Sequence, residues 1–160
     1  MVDKSSRIVG AGGAWKVIDE RPDERVVRQI TPLSCVAAAG EMLLRARGIS
    51  IPQQEILDII REPSSIGALA NFLNEVDAGE QGKKWFGSII ERRNISLLLR
   101  EGPFGVVLRD GTPLGHLVVV PKAQGGRLEI CDSWEGTSYE LSFFELFRHW
   151  NGEAVFKWSF

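Results

Sequence analysis

A cysteine at the start of a predicted helix is the first residue in this chain that could do chemistry. Cys35 follows Pro32 and Ser34, which are residue types common at helix N-termini. The alanines and leucines after it favour a helix over residues 35–47 that ends at Gly48. At a helix N-terminus the backbone N–H groups and the helix dipole stabilise negative charge, and the thiolate is the nucleophilic form of cysteine. We therefore predict that Cys35 is a nucleophile.

One of the chain's two histidines is placed to serve as the base that a thiol nucleophile needs. His116 begins an apolar run, residues 116–120, that is predicted to be a strand, so its side chain would lie at the rim of a sheet. Gly115 before it would let a substrate backbone pass close. His149 lies late in the last predicted helix and is interpreted as a structural or surface residue. His116 is therefore the predicted base.

A carboxylate on the next strand is the predicted group that orients this base. Asp132 ends that strand, 16 residues after His116 (132 − 116 = 16), and shares one face with Leu128 and Ile130 by the two-residue period of a strand. A carboxylate at the end of an apolar face is costly unless it has a partner. We predict that Asp132 accepts the imidazole N–H and fixes its tautomer, and that Trp134 covers the pair and excludes water.

Two groups near Cys35 could stabilise an oxyanion. One is the Cys35 backbone N–H at the helix start. The other is Gln29, six residues earlier (35 − 29 = 6), whose amide can point back over the intervening loop. This chemistry requires no cofactor and no metal. A zinc site built from both cysteines and both histidines is an alternative, but no CxxC or HxxH spacing supports it, and Cys131 is predicted to pack in the core.

The elements that would position these residues fall into a helical first half and a mainly β second half. Further helices are predicted after Pro52 and from Ser65 to about Val76. Short extended segments are predicted at 15–18 and 25–28, strands at 85–90, 104–108, 116–120, 127–132 and 154–158, and short helices at 95–100 and from Ser142 to about Trp150. The segregation is typical of an α+β fold, with a helical layer packed against an antiparallel sheet.

The predicted site lies in a cleft between the helical layer and the sheet. We expect its walls to come from the polar loop at 77–84 and the turn at 110–115. Residues 1–14 are predicted to be a flexible tail or linker, and residues 15–160 to form the domain.

Composition limits the classes of partner. The chain has 160 residues, a size that suits one domain with a substantial core. Its net charge of −2 argues against nucleic acid as the main partner, and no run of eighteen apolar residues predicts a membrane span. No secretory signal is recognised at the N-terminus. Two cysteines are too few for a disulfide scaffold, so a reducing compartment is the simpler assumption.

Taken together, these motifs resemble the papain-like cysteine peptidases. The resemblance rests on Gln29, on Cys35 at the start of a helix of small residues, on Gly115-His116, and on Asp132-Ser133-Trp134. In that family a glutamine shortly before the nucleophile builds the oxyanion hole. The nucleophile is followed along the chain by histidine and then by asparagine or aspartate, often in an Asn-Ser-Trp run.

One branch of that family is more similar than the others. The short length, the aspartate, and the segment 141–155 resemble the bacteriocin-processing peptidases that cut after double-glycine leaders, with their free-standing and toxin-borne relatives. The resemblance covers about residues 25–158. It implies a papain-like fold and a Cys-His-Asp triad of Cys35, His116 and Asp132 that acts on a peptide or protein substrate.

Several outcomes of this chemistry stay open at the level of sequence. The same apparatus can deamidate a glutamine side chain or transfer its acyl group to an amine. A non-catalytic peptide-binding domain of the same fold is a further alternative. A toxin or effector domain of a larger bacterial protein would have an immunity or inhibitor protein as a partner. The protein would then be cytoplasmic, or delivered into a target cell as part of a larger secreted protein.

Overall fold

One antiparallel sheet organises the structure. A computed structural model describes residues 15–79 and 82–159, so the predicted tail at 1–14 lies outside the described residues. In chain order the elements are β1 (Ile18–Pro22), α1 (Cys35–Arg45), α2 (Gln53–Ile60), α3 (Ile66–Val76), β2 (Lys83–Ile89), α4 (Ile95–Glu101), β3 (Phe104–Leu108), β4 (His116–Val120), β5 (Ala123–Gln124), β6 (Arg127–Asp132), β7 (Thr137–Ser142), α5 (Phe143–His149) and β8 (Trp150–Ser159). The strand order is β1-β7-β6-β4-β3-β8-β2, and β5 pairs with β6 outside this path.

The strand register brings the two polar strand ends together. β4 pairs antiparallel with β6, with Val119 opposite Cys131. In an antiparallel pair the first residue of one strand lies near the last residue of the other. His116 begins β4 and Asp132 ends β6, so both side chains lie at the same edge of the sheet.

The sheet buries apolar side chains on both faces. On one face, α1, α2 and α3 pack on alternate residues of the central strands, such as Val107, Leu117 and Cys131. On the other face, side chains from α4, α5 and residues 15–17 pack on the intervening residues, such as Val118 and Ile130. Because successive residues of a strand point to opposite faces, β3 and the part of β4 after His116 read as continuous apolar runs. None of the described helices combines the length and the hydropathy needed to cross a bilayer.

The predicted α+β class is confirmed, and the central elements match closely. The strands at 104–108, 116–120 and 127–132 occur with the predicted bounds. The first three helices lie where the apolar periodicity places them, and Gly48 after α1 has a positive φ of 78°, as expected of a helix-ending glycine. As predicted, Leu128 and Ile130 face the same side of the sheet, where α4 and α5 pack. Cys131 faces the other side and packs against α1, α2 and α3.

The predictions near the N-terminus are wrong. The segment 25–28 is a turn and loop, because the backbone N–H groups of Arg25 and Val26 bond to Asp23 at 2.9 and 3.0 Å. The segment predicted at 15–18 contributes only its last residue, Ile18, to a strand. The residues that follow form the rest of β1, because they pair with β7, and neither of these two strands was predicted over its observed range.

Candidate active site

Helix α1 carries Cys35 at its first position, half-buried. The preceding serine does not cap the helix with its side chain. Instead, the Ser34 hydroxyl accepts from the Thr31 N–H at 3.0 Å and donates to the Thr31 carbonyl at 3.1 Å, which folds the loop before the helix. The first helical bond runs from the Ala38 N–H to the Ser34 carbonyl at 3.0 Å. Cys35 therefore lies at a helix N-terminus whose first N–H groups are not capped by a side chain.

His116 and Asp132 form a buried hydrogen-bonded pair. The His116 Nε2 lies 2.7 Å from Asp132 Oδ1, and the residues are 3% and 0% exposed. An ionised carboxylate only accepts hydrogen bonds, so Nε2 carries the proton. Nδ1 is then the ring nitrogen that remains for another partner.

The charges in this group favour an imidazolium. Burial lowers the pKa of His116, but the hydrogen bond and charge of Asp132 and the nearby Cys35 sulfur outweigh burial and raise it to about 10. Burial raises the pKa of Asp132, and its hydrogen bonds, with that to His116 foremost, hold it below the usual range. The arrangement can therefore hold a protonated imidazole between the Asp132 carboxylate and the Cys35 sulfur.

Asp132 has two further partners. The Trp134 N–H donates to Oδ1 at 3.0 Å, and the Tyr139 hydroxyl donates to Oδ2 at 2.7 Å. The Trp15 indole N–H in turn donates to the Tyr139 hydroxyl at 2.8 Å. Sequence analysis missed both Tyr139 and Trp15. Tyr139 belongs to the strand that was not predicted, and Trp15 lies 124 residues away, so no local pattern joins them.

Gln29 lies in the loop that leads to α1 and is held there by Ser133. The Gln29 N–H donates to the Ser133 carbonyl at 2.7 Å, and the Ser133 hydroxyl donates to Gln29 Oε1 at 2.9 Å. The Gln29 Nε2 donates to the Thr31 carbonyl at 2.9 Å. Since a carbonyl only accepts, this contact fixes which end of the amide is nitrogen. The structure thus brings the glutamine loop and the Asp132-Ser133-Trp134 segment together.

The remaining predicted residues flank the pair. Trp134 is 41% exposed and presents its ring edgewise to His116, with the ring centres 6.4 Å apart. Gly115 has φ of +70°, and a Cβ there would lie 2.7 Å from Val107 Cγ1. The space beside Gly115 is therefore filled by the protein itself. His149 Nε2 lies 3.0 Å from Glu145 Oε1 within α5, and its ring meets the Trp15 ring edgewise with the centres 6.2 Å apart.

A cleft of about 620 Å³ opens beside Cys35 and His116. Its walls include apolar side chains from both layers, namely Leu33, Val36, Ile66, Val107, Leu114 and Leu117. The predicted wall at 110–115 is present and residues 63–66 also line the cleft, whereas residues 77–79 and 82–84, the described part of the other predicted wall, do not. Asp77 instead turns into the protein, where its carboxylate lies 2.8 Å from the Lys157 ammonium.

No three potential metal ligands among histidine, cysteine, aspartate and glutamate converge within residues 15–79 and 82–159. The alternative zinc site also fails on orientation, since Cys131 is buried in the core on the helical side of the sheet. Burial raises the pKa of its thiol to about 12, so it stays protonated at neutral pH.

Sequence comparison finds a curated relative of this chain. No family model matches the chain. A curated protein of Escherichia coli O1:K1:H7, cysteine protease effector 1, is 37% identical over 150 residues, which are 92% of this chain and 30% of that protein. The chain thus spans less than a third of the length of that relative.

Solved structures share the architecture. A double-glycine motif protease from an AMS/PCAT transporter, in complex with the leader peptide, gives a TM-score of 0.66 at 20% identity, covering 84% of this chain and 91% of that one. The peptidase domain of Streptococcus ComA, a bifunctional ABC transporter of a quorum-sensing pathway, gives 0.67 at 18% identity, covering 84% and 97%. The predicted papain-like fold, that of double-glycine peptidase domains, is confirmed.

Proposed function

We propose that this domain is a papain-like cysteine peptidase that acts on a peptide or protein substrate through Cys35, His116 and Asp132. One observation carries the proposal. The half-buried Cys35 thiol, at an uncapped helix N-terminus, lies beside the His116 imidazole. The Nε2 of that imidazole lies 2.7 Å from the buried Asp132 carboxylate. This is the nucleophile, base and orienting group that covalent acyl transfer needs. The relative named cysteine protease effector supports the same activity.

In the first half of the reaction the Cys35 thiolate attacks the carbonyl carbon of the scissile bond. The imidazolium of His116 then donates its Nδ1 proton to the leaving amine, because Nε2 stays bonded to Asp132. The C–N bond breaks and a thioester to Cys35 remains. Asp132 holds the ring plane and stabilises its positive charge throughout.

The tetrahedral intermediate carries an oxyanion that needs preorganised donors. The Cys35 backbone N–H and the Gln29 side-chain amide are the proposed donors. Gln29 is only 9% exposed, and Ser133 and Thr31 fix its amide. One of the two Nε2 hydrogens donates to Thr31, and the second is the one proposed to reach the oxyanion.

In the second half, neutral His116 removes a proton from water, which attacks the thioester and restores the Cys35 thiolate. An amine in place of water would give acyl transfer, and a glutamine side-chain amide in place of a peptide bond would give deamidation. Proteolysis is favoured here because the relative that spans most of this chain is named a protease, as are the solved structures.

The biological setting follows from the same relative. Its name as an effector supports a role for this chain as the toxin or effector domain of a larger bacterial protein that is delivered into a target cell. A cytoplasmic producer of such a domain would need an immunity or inhibitor protein. The leader peptide bound to the transporter protease supports a peptide segment as the substrate.

Mass spectrometry of a bacterial lysate incubated with the protein tests the proposal. New peptide N-termini should form with the wild type and with Cys131→Ala, which removes the other cysteine, but not with Cys35→Ala. Cysteine-dependent mass gains at glutamine without new termini would replace proteolysis by deamidation. Identical lysates with all three proteins, together with a Cys35 that iodoacetamide alkylates no faster than a free thiol, would leave the peptide-binding alternative.

A further inference from the structure

A chain of hydrogen bonds reaches the candidate site from the face of the sheet opposite α1, α2 and α3. It runs from the Trp15 indole N–H to the Tyr139 hydroxyl at 2.8 Å, from that hydroxyl to Asp132 Oδ2 at 2.7 Å, and from Asp132 Oδ1 to His116 Nε2 at 2.7 Å. All four residues are 3% exposed or less, so bulk solvent has little access to these hydrogen bonds.

Only one direction of donation is possible along this chain. An indole N–H can only donate and a carboxylate can only accept, so the Tyr139 hydroxyl accepts from Trp15 and donates to Asp132. Burial, followed by the Asp132 charge, raises the pKa of Tyr139 well above its ordinary value, so the donor proton is retained. The Tyr139 hydroxyl therefore serves as the hydrogen-bond donor to Asp132.

The contact fixes the carboxylate against rotation. Asp132 Oδ1 accepts from His116 and from the Trp134 N–H, and Oδ2 accepts from Tyr139. Rotation about the Cβ–Cγ bond would break bonds on both oxygens at once, and the carboxylate is fully buried from bulk solvent. The oxygen presented to the imidazole is thereby held in the plane that the ring needs.

Trp15 also contacts the imidazole directly. Its ring lies nearly parallel to that of His116, with centres 6.1 Å apart and planes 13° apart. Trp134 meets the same imidazole at 88°, with centres 6.4 Å apart. Trp15 thus limits tilting of the imidazole while its N–H anchors the tyrosine behind the carboxylate.

We propose that Tyr139 and Trp15 are positioning residues for the Cys35, His116 and Asp132 group, and that they act as one unit. Tyr139 sets the orientation of the Asp132 carboxylate, and Trp15 holds both Tyr139 and the His116 ring. The inference rests on the proposed function, since positioning matters only if the group reacts.

Other titratable groups lie near this unit and belong in any pH experiment. Cys35 faces His116 from α1. Glu20 on β1 acts on Tyr139. His149 on α5 meets the Trp15 ring edgewise at 6.2 Å and bonds to Glu145 at 3.0 Å.

The test compares Tyr139→Phe, Trp15→Phe and the double variant with the wild type. Ile130→Val is the matched control, because Ile130 lies opposite Tyr139 on β6, is fully buried in the same core, and offers no polar group. The first readout is the rate at which iodoacetamide alkylates Cys35 at neutral pH, where the buried Cys131 thiol stays protonated. The second is proton exchange of the downfield His116 Nε2–H signal in NMR.

We expect Tyr139→Phe to slow alkylation by about tenfold or more, the size that loss of a hydrogen bond to a charged group implies. The Nε2–H should exchange faster in this variant, whereas Ile130→Val should match the wild type in both readouts. The double variant should lose less than the product of the two single losses, because the indole N–H acts through Tyr139.

If the double variant loses as much alkylation rate as the product of the two single-variant losses, the claim that Tyr139 and Trp15 act as one unit is overturned. Equal exchange rates in Tyr139→Phe and the wild type would overturn the positioning role itself. A wild-type Cys35 with the reactivity of a free thiol would instead contradict the proposed function, and the exchange of the imidazole N–H would then decide the inference alone.

Discussion

Ser133 and Gln29 are 104 residues apart in sequence, yet the Ser133 hydroxyl donates to Gln29 Oε1 at 2.9 Å and the Ser133 carbonyl accepts from the Gln29 N–H at 2.7 Å. The loop before Cys35, the proposed nucleophile, is therefore joined to the residue that follows Asp132, the proposed orienting carboxylate. A movement of either segment would therefore displace the other. This link makes the proposed oxyanion donor dependent on a residue that takes no part in proton transfer.

Ser133→Ala should lower peptide cleavage by about tenfold, and Gln29→Ala by about a hundredfold, the range for loss of one oxyanion donor. Alkylation of Cys35 by iodoacetamide forms no oxyanion, so both variants should retain the wild-type alkylation rate. The double variant should cleave no more slowly than Gln29→Ala alone, because Ser133 acts through Gln29. A parallel fall in alkylation would instead mean that the loop as a whole has shifted.

Because His116 and Asp132 form a buried pair, the free energy of unfolding should fall as the pH rises into the alkaline range. Burial alone would lower the His116 pKa, but Asp132 and Cys35 raise it from 6.5 to about 10 in the folded protein. The protonated pair therefore contributes its full stability below pH 6.5, and the contribution is lost as pH rises towards about 10. The expected loss is about 1.5–3 kcal/mol in the free energy of unfolding, the range for a hydrogen bond to a charged group.

Urea unfolding of the wild type and of Asp132→Asn across this pH range measures the effect. The variant lacks the carboxylate charge, so its stability should change less with pH than that of the wild type. Parallel curves for the two proteins would show that His116 does not titrate against Asp132.

Gly115 lies beside the site, and both its backbone conformation and its surroundings exclude a side chain. It has φ of +70°, and a Cβ would lie 2.7 Å from Val107 Cγ1 and 3.0 Å from the Leu108 carbonyl oxygen. Gly111 has a similar φ of +88° but nothing within 4 Å of a Cβ. Gly115→Ala should therefore cost about 1–3 kcal/mol more than Gly111→Ala, the range for overpacking.

Chemical denaturation of both glycine variants supplies the comparison, with Gly111→Ala as the control for backbone strain alone. We also expect slower alkylation of Cys35 in Gly115→Ala, because His116 is the next residue and must move with the displaced backbone. Equal losses of stability in the two variants would mean that strain at positive φ, rather than packing against β3, accounts for the effect.

The strands that carry the site were predictable, because their signals are local. The run at 116–120 is apolar after His116, and the run at 127–132 alternates polar and apolar residues before Cys131 and ends in Asp132. Adjacent antiparallel strands then bring those ends together without further information. The helix that begins at Cys35 was equally visible in its run of small and aliphatic residues.

Most of the parts that failed depend on contacts between distant residues. β7 alternates polar and apolar residues from Ser138 to Ser142, a local strand pattern that went unpredicted, and it pairs with both β1 and β6. The bond between Trp15 and Tyr139 spans 124 residues. In the loop predicted as a cleft wall, Asp77 is buried because it pairs with Lys157, 80 residues away, while Ala78 and Gly79 stay exposed.

Asp77 and Lys157 join the helical layer to the sheet through a buried ion pair at 2.8 Å, with side chains 5% and 6% exposed. Trp85 Nε1 and Arg47 Nε also lie 2.9 and 3.2 Å from the same carboxylate oxygen. Burial raises the pKa of Asp77, but the hydrogen bonds and charges of these partners lower it below its ordinary value, so the carboxylate stays ionised. Removing one partner of a buried pair leaves an uncompensated charge, which costs about 3–5 kcal/mol.

Lys157→Met should therefore lower the free energy of unfolding by about 3 kcal/mol, towards the low end of that range because Arg47 still faces the carboxylate. Asp77→Asn in the same chain should recover much of the loss, since the neutral amide oxygen can still accept from Trp85. Alkylation of Cys35 should stay at the wild-type rate in both variants, because this cluster lies outside the residues that line the cleft. A stable Lys157→Met protein with altered peptide cleavage would restore the loop at 77–84 as a wall of the substrate cleft.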